Sequence, residues 1–240
     1  MLFRQSKHRK LHLESLEVRR LMANDLSASV NMGTLSISGS AGNDRVSVVI
    51  GSQSTVVRNL NTGGAIGTFA NSAYSSVRAN MGNGTDTFEL NANNLKTLDS
   101  VFVNMGGGSK EGIYIHSTRM NNLNIDARTA FGTGVTLTGI GVTGTANIDF
   151  GNDAARDWIN ILSNSSINRL QANMGGGNDI VTLRKTSIAT ASIDLGSGND
   201  EFGAMDNSFV GSGVIDGGDG TDRVRTSGAR VGARLNSFER

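Results

Sequence analysis

The 240-residue chain has no cysteine and no proline, and aromatic residues are only 5% of it. Without cysteine there is no disulfide framework and no thiol nucleophile. Without proline, every backbone N–H is available to a hydrogen-bond ladder. The aromatic shortage suits a narrow core filled by Val, Ile, Leu and Met. Trp158 is the only tryptophan, Tyr74 and Tyr114 are the only tyrosines, and no aromatic platform for sugars is visible in their spacing. Three histidines are present, and only His116 lies beyond the first 23 residues. The many serines therefore have no evident general-base partner. No apolar run is long enough to span a membrane. Beyond residue 23 no stretch carries a helical apolar stripe. The glycine-rich turns precede strands instead of helices, so no phosphate-cradling helix N-terminus is present.

What is abundant is glycine, 32 residues, about twice ordinary usage. Much of it recurs in one phrase: a Gly-rich turn, an acidic residue, then alternating apolar residues. Gly42-Asn43-Asp44-Arg45-Val46-Ser47-Val48 and Gly175-Gly176-Gly177-Asn178-Asp179-Ile180-Val181-Thr182-Leu183 are two of seven such stretches. Their acidic residues are Asp44, Asp86, Glu111, Asp157, Asp179, Asp200 and Asp222, with gaps of 42, 25, 46, 22, 21 and 22. The two long gaps are close to double. Gly63–Phe69 and Gly132–Leu137 read as degenerate copies that fill them, giving about nine copies at about 22 residues. That period lies in the range of stacked-repeat folds.

A second column keeps the same period. An apolar–Asn/Asp–apolar triplet precedes the turns, centred on Asn80, Asn104, Asp126, Asp149, Asn173, Asp194 and Asp216. Within each repeat the apolar spacing is two (Val46/Val48, Phe88/Leu90, Ile113/Ile115, Ile159/Ile161), the pattern of half-buried strands. The expected fold is all-β: a single-stranded parallel β-helix, right-handed by default, of about nine coils of about 22 residues. At roughly 4.8 Å per coil it would be a rod on the order of 43 Å long.

Three parts are expected: a head at 1–23, the solenoid at 24–240 with capping strands over 24–38, and an Arg-rich cap over 227–240. The head carries +4 and the body −3, which argues against a nucleic-acid partner. The head has no apolar run typical of a secretory signal peptide. Its segment His12-Leu13-Glu14-Ser15-Leu16-Glu17-Val18-Arg19-Arg20-Leu21-Met22-Ala23 resembles the LEPLEDRRLLA head of many secreted or surface proteins of planctomycete bacteria, with Ser15 in place of Pro and Val18 in place of Asp. The resemblance implies export, with the head removed after Ala23. The competing reading is a basic arm that binds nucleic acid or anionic lipid.

Gly175-Gly176-Gly177-Asn178-Asp179 and Gly217-Gly218-Asp219-Gly220-Thr221-Asp222 resemble the calcium-binding nonapeptide of RTX proteins. Calcium takes six to eight oxygens from carboxylates and backbone carbonyls. The candidate ligands are Asp179, Asp194, Asp200, Asp216, Asp219 and Asp222, and calcium is the only candidate cofactor. The pattern departs from RTX in having one such turn per 22 residues instead of uninterrupted tandem copies. Turn chemistry alone also explains Asn and Asp at these positions.

Asp153 and Asp157, beside Arg156 and Trp158, are the only local group that suggests acid–base work on sugars. No catalytic residue is assigned. The expected function is a non-enzymatic secreted or cell-surface β-solenoid with a structural or adhesive role, stabilised by calcium. Extracellular polysaccharide or cell-surface components are the expected partners. The alternative is a polysaccharide-binding or polysaccharide-degrading β-helix.

Overall fold

A computed structural model describes residues 26–239. The expected head at 1–23 lies outside the described residues. The fold is a β-solenoid built on two long sheets. Sheet I runs, in stacking order, through Ser27–Asn31, Thr34–Ser38, Ser76–Asn80, Thr97–Asn104, Arg119–Ala127, Gly141–Phe150, Ser166–Asn173, Ser187–Asp194 and Phe209–Asp216, then the short strands Arg230–Val231 and Arg234–Asn236. Sheet II stacks Arg45–Ile50, Thr87–Asn91, Gly112–His116, Gly134–Thr138, Trp158–Leu162, Ile180–Arg184, Glu201–Met205 and Arg223–Ser227. Each coil contributes one strand to each sheet, and successive coils pair in parallel.

The register is regular apart from bulges between Met120 and Leu123 and between Val142 and Thr145 in sheet I. Asn104 pairs with Asp126, Asp126 with Asp149, Asp149 with Asn173, Asn173 with Asp194 and Asp194 with Asp216. Like side chains therefore form files along the rod. On the inner face of sheet II the file reads Val46, Phe88, Ile113, Val135, Ile159, Val181 and Phe202, all buried. On sheet I, Ala79, Val103, Ile125, Ile148, Ala172, Ile193 and Ile215 face it. The alternation of two that marks these strands in the sequence places one apolar file on the core side and one polar file outside.

About seven coils stack in this way instead of nine, for a rod of roughly 34 Å. The discrepancy has a specific source. Gly63–Phe69 is no coil: Ser54–Asn59 pairs antiparallel with Arg45–Ile50, and Ala65–Ala70 pairs antiparallel with Ser54–Asn59, as a meander that covers the open edge of sheet II. Ser27–Asn31 does the same for sheet I by pairing antiparallel with Thr34–Ser38. Gly132–Leu137, in contrast, does form a full coil. At the other end, Arg223, Arg225, Arg230 and Arg234 are exposed along the last strands, charges that discourage edge-to-edge pairing.

Glycine is required at the turn that leads into sheet II. Gly198 has φ 145°, and a Cβ there would lie 1.4 Å from the carbonyl oxygen of Gly177 in the preceding coil; at Gly220 the corresponding distance to Gly198 is 1.5 Å. The turn backbones stack in contact, with no room for a side chain between them.

Candidate functional site

Each coil has two corners. The acid corner lies between the sheet I strand and the sheet II strand, and the repeated acidic residue closes it. Asp44, Asp86, Glu111, Asp157, Asp179, Asp200 and Asp222 all point inward, and none is more than 2% exposed. The inward direction follows from parity: Asp179, Val181 and Leu183 are two apart on one extended segment and so share a face.

These carboxylates are linked along the rod. The Asp44 N–H donates to Asp86 Oδ1 at 2.7 Å and the Asp86 N–H to Glu111 Oε2 at 2.8 Å. The Asp157 N–H donates to Asp179 Oδ1 at 2.8 Å, that of Asp179 to Asp200 at 2.7 Å, and that of Asp200 to Asp222 at 2.8 Å. Thr133 takes the acid's place in its coil and donates its N–H to Asp157 Oδ1. The Asp222 N–H donates to the Glu239 carboxylate, so the terminal half-coil continues the file. In the opposite sense, the N–H after each acid donates to the acid's carbonyl in the preceding coil, as Glu201 does to Asp179 and Arg223 to Asp200, both at 2.9 Å.

One oxygen of each carboxylate is thereby used, except at Asp44, whose Oδ2 instead accepts from the N–H and hydroxyl of Ser40 in its own turn at 2.6 and 3.0 Å. The other (Oδ1 of Asp44, Oε1 of Glu111, Oδ2 of Asp86, Asp157, Asp179, Asp200 and Asp222) is buried and has no hydrogen-bond partner among the described residues. Burial therefore dominates the titration of five members of the file. It pushes Asp86 and Asp200 up to about 6, Asp157 to about 7, and Glu111 and Asp179 to about 8. The backbone N–H bonds oppose the rise, and neighbouring carboxylates add to it.

The opposite corner, between the sheet II strand and the next sheet I strand, is built from hydroxyls. The Ala92 N–H donates to Thr118 Oγ1 (3.3 Å), that of Ile140 to Ser165 Oγ (3.2 Å) and that of Thr186 to Ser208 Oγ (3.4 Å). Each of these hydroxyls in turn donates to a nearby carbonyl: Thr118 to His116 and Ser165 to Leu162, both at 2.6 Å, and Ser208 to Met205 at 2.7 Å.

The six predicted calcium ligands separate into different places. Asp179, Asp200 and Asp222 belong to the buried file. Asp194 and Asp216 stand in the outer file at the ends of the sheet I strands, with Asn173 and Asp149. Asp219 is exposed on a short bridging strand that pairs with Ser197–Gly198. The six therefore do not converge on one site: Asp194 and Asp216 alternate with the inward Ile193 and Ile215 on the sheet I strands and face out, whereas Asp200 stands two residues before the inward Phe202 and faces in. The outer file works as turn chemistry: the Gly106 N–H donates to Asn104 Oδ1 at 2.7 Å, Asn173 Nδ2 donates to Asp149 Oδ1 at 3.1 Å, and Arg128 pairs with Asp126 at 2.8 Å.

Asp44, Asp86, Glu111 and Asp157, which the repeat puts in one column with Asp179, Asp200 and Asp222 but which are not among the six expected ligands, belong to the same buried arrangement; their even spacing to the inward apolar residues carries the signal. Asp157 and Asp153 do not flank a cleft. Asp153 caps its own turn through the Ala155 N–H at 2.6 Å, and Asp157 is enclosed in the file.

Among the described residues no three His, Cys, Asp or Glu side chains converge on a point that could hold a metal. A cation at the acid corner would have to take one unpaired carboxylate oxygen per coil and complete its shell from backbone carbonyls, a donor set that suits a hard ion such as calcium. Asp157, Asp179, Asp200 and Asp222, in four successive coils without interruption, offer the longest run of such oxygens next to the glycine turns. Fold and site together define a parallel β-solenoid with an internal file of under-coordinated carboxylates. No family model, curated protein or solved structure matches the chain.

Proposed function

We propose that this chain is a non-enzymatic β-solenoid of the cell surface or secreted space, a rigid adhesive or spacing element whose coils are locked together by calcium at the acid corner. The observation that carries the calcium part is the row of buried carboxylate oxygens with no partner. A buried, unpaired anionic oxygen is costly, and a coordinated cation offsets that cost. The export part rests on the resemblance of residues 12–23 to heads of secreted and surface proteins. The structural part rests on regular coils whose outward columns are mostly short polar side chains.

Thermal melts test this reading. Calcium at millimolar concentration is expected to raise the melting temperature, chelator to reverse the rise, and the double variant Asp179→Asn/Asp200→Asn to respond far less. Saturating one site a hundredfold above its Kd stabilises by about 2.7 kcal/mol, or roughly 5–11 °C for a chain of this size. A melting temperature indifferent to calcium in the wild-type protein would refute the calcium lock.

A further inference from the structure

On the outer face of sheet II, Gly112, Gly134 and Trp158 are register partners in three consecutive coils. Two aromatic rings occupy the space the glycines leave. The Trp158 indole leans back across Gly134, so that a Cβ there would meet its Cζ2 at 2.1 Å. The Tyr114 ring lies over Gly112 in the coil before, where a Cβ would meet Cε2 at 2.9 Å. Both glycines are buried although they lie on the outer face. The rings therefore lie down on the sheet in adjacent coils, about 4.8 Å apart along the rod. The ring of His116 runs parallel to that of Tyr114, at an interplanar angle of 11° and a centroid separation of 6.4 Å. Tyr114 remains 37% exposed.

Thr136 is the register partner of both Tyr114 and Asn160. The side chains of Thr136 and Asn160 are partly exposed and make no hydrogen bond among the described residues. The outward positions of these three strands carry no formal charge. Glu89 borders the patch in the coil before. Arg184, beyond it, is held by Asp206 at 2.7 Å.

We infer that this strip binds an uncharged polysaccharide, with pyranose rings laid on Trp158 and Tyr114 and sugar hydroxyls bonded to Thr136 and Asn160. The apolar face of a β-linked pyranose matches a ring lying flat, and flat rings with free hydroxyl and amide groups beside them supply both halves of such contact. The absence of charge selects a neutral polymer over a uronate. This rests on the adhesive reading above and gives it a partner.

Trp158 is the sole tryptophan, so its fluorescence reports on the strip alone. The test titrates the full chain with hydroxyethylcellulose, xylan and mannan, and runs native gels containing each polymer or polygalacturonate. The expected result is a saturable change in Trp158 emission and retardation by at least one neutral polymer. Affinity should fall roughly tenfold or more in Trp158→Ala and in Tyr114→Ala, and largely survive in Trp158→Phe. Asn160→Asp, which puts a charge on the strip without removing a ring, should also weaken binding and covers the case in which a ring deletion harms folding. Silence of Trp158 with all three neutral polymers, retardation by polygalacturonate alone, or unchanged binding in folded Trp158→Ala would each overturn the inference. Calcium-dependent melts without polymer decide the lock separately, so either idea can fail while the other stands.

Discussion

The two corners of the coil perform the same structural task with different chemistry. At the hydroxyl corner, Ser165 accepts the Ile140 N–H and donates its own O–H to the Leu162 carbonyl, so the turn is closed within the protein. At the acid corner, Asp179 accepts the Asp157 N–H with one oxygen and leaves the other buried and unbonded. A hydroxyl serves as well as a carboxylate for linking one coil to the next, because both accept one N–H. The acid adds only what the hydroxyl lacks: a second oxygen and a titratable charge. The stacking geometry does not use either. The acid corner thus closes on buried titratable groups, and the hydroxyl corner closes on hydroxyls alone.

The largest effect that separates the corners is expected at the turn glycines. Gly198→Ala puts a Cβ into the Gly177 carbonyl at a φ that L-residues rarely adopt. It should cost more than about 3 kcal/mol and show as early melting of the C-terminal coils in hydrogen exchange. Lys185, at the hydroxyl corner, holds φ 52° with an ordinary side chain.

The next effect is pH. In chelator, the folded-state values of about 6 to 8 for the buried carboxylates lie above those of free acids, so the native rod holds more protons than the unfolded chain. Stability should be fullest below about pH 4 and decline as the pH rises through 6 to 8. Melting temperatures measured from pH 5 to 9 check this, and calcium should flatten the decline. Asp179→Asn keeps the acceptor and removes the charge. At pH 8 in chelator it should be more stable than wild type by about 1–4 kcal/mol, with little difference at pH 5. Equal stability at both pH values would mean that the acid corner is as inert as its counterpart.

Smaller still, Ser165→Ala leaves the Ile140 N–H unpaired, while the Leu162 carbonyl keeps the Gly139 N–H, and should cost about 1–2 kcal/mol at every pH and calcium concentration. Lys185→Gly relieves the left-handed backbone and should change stability by less than about 1 kcal/mol. Both are read from denaturant unfolding.

The sequence made the sheets and the period legible, because a spacing of two inside a period of 22 fits little but stacked strands. It did not reveal that Gly63–Phe69 turns back on Ser54–Asn59, since alternation is the same whichever way a strand runs. The burial of Asp44, Asp86 and Asp179 was readable from their even spacing to Val46, Phe88 and Val181. The RTX-like spacing instead drew Asp194 and Asp216 into one set with Asp200, although each stands one residue from an inward apolar neighbour, Ile193 or Ile215, and Asp200 stands two from Phe202. That Trp158 lies over Gly134 was out of reach, because the two are 24 residues apart and meet only through the register.

The register of the acid file makes length a quantity that can be edited in whole steps. Excising residues 180–200 would join Asp179 to Glu201, the same junction the chain already makes between Asp200 and Glu201. The cross-section would be unchanged and the rod shorter by one rise, so duplication or loss of a 21-residue block turns this architecture into a ruler whose graduations are written in the polypeptide itself.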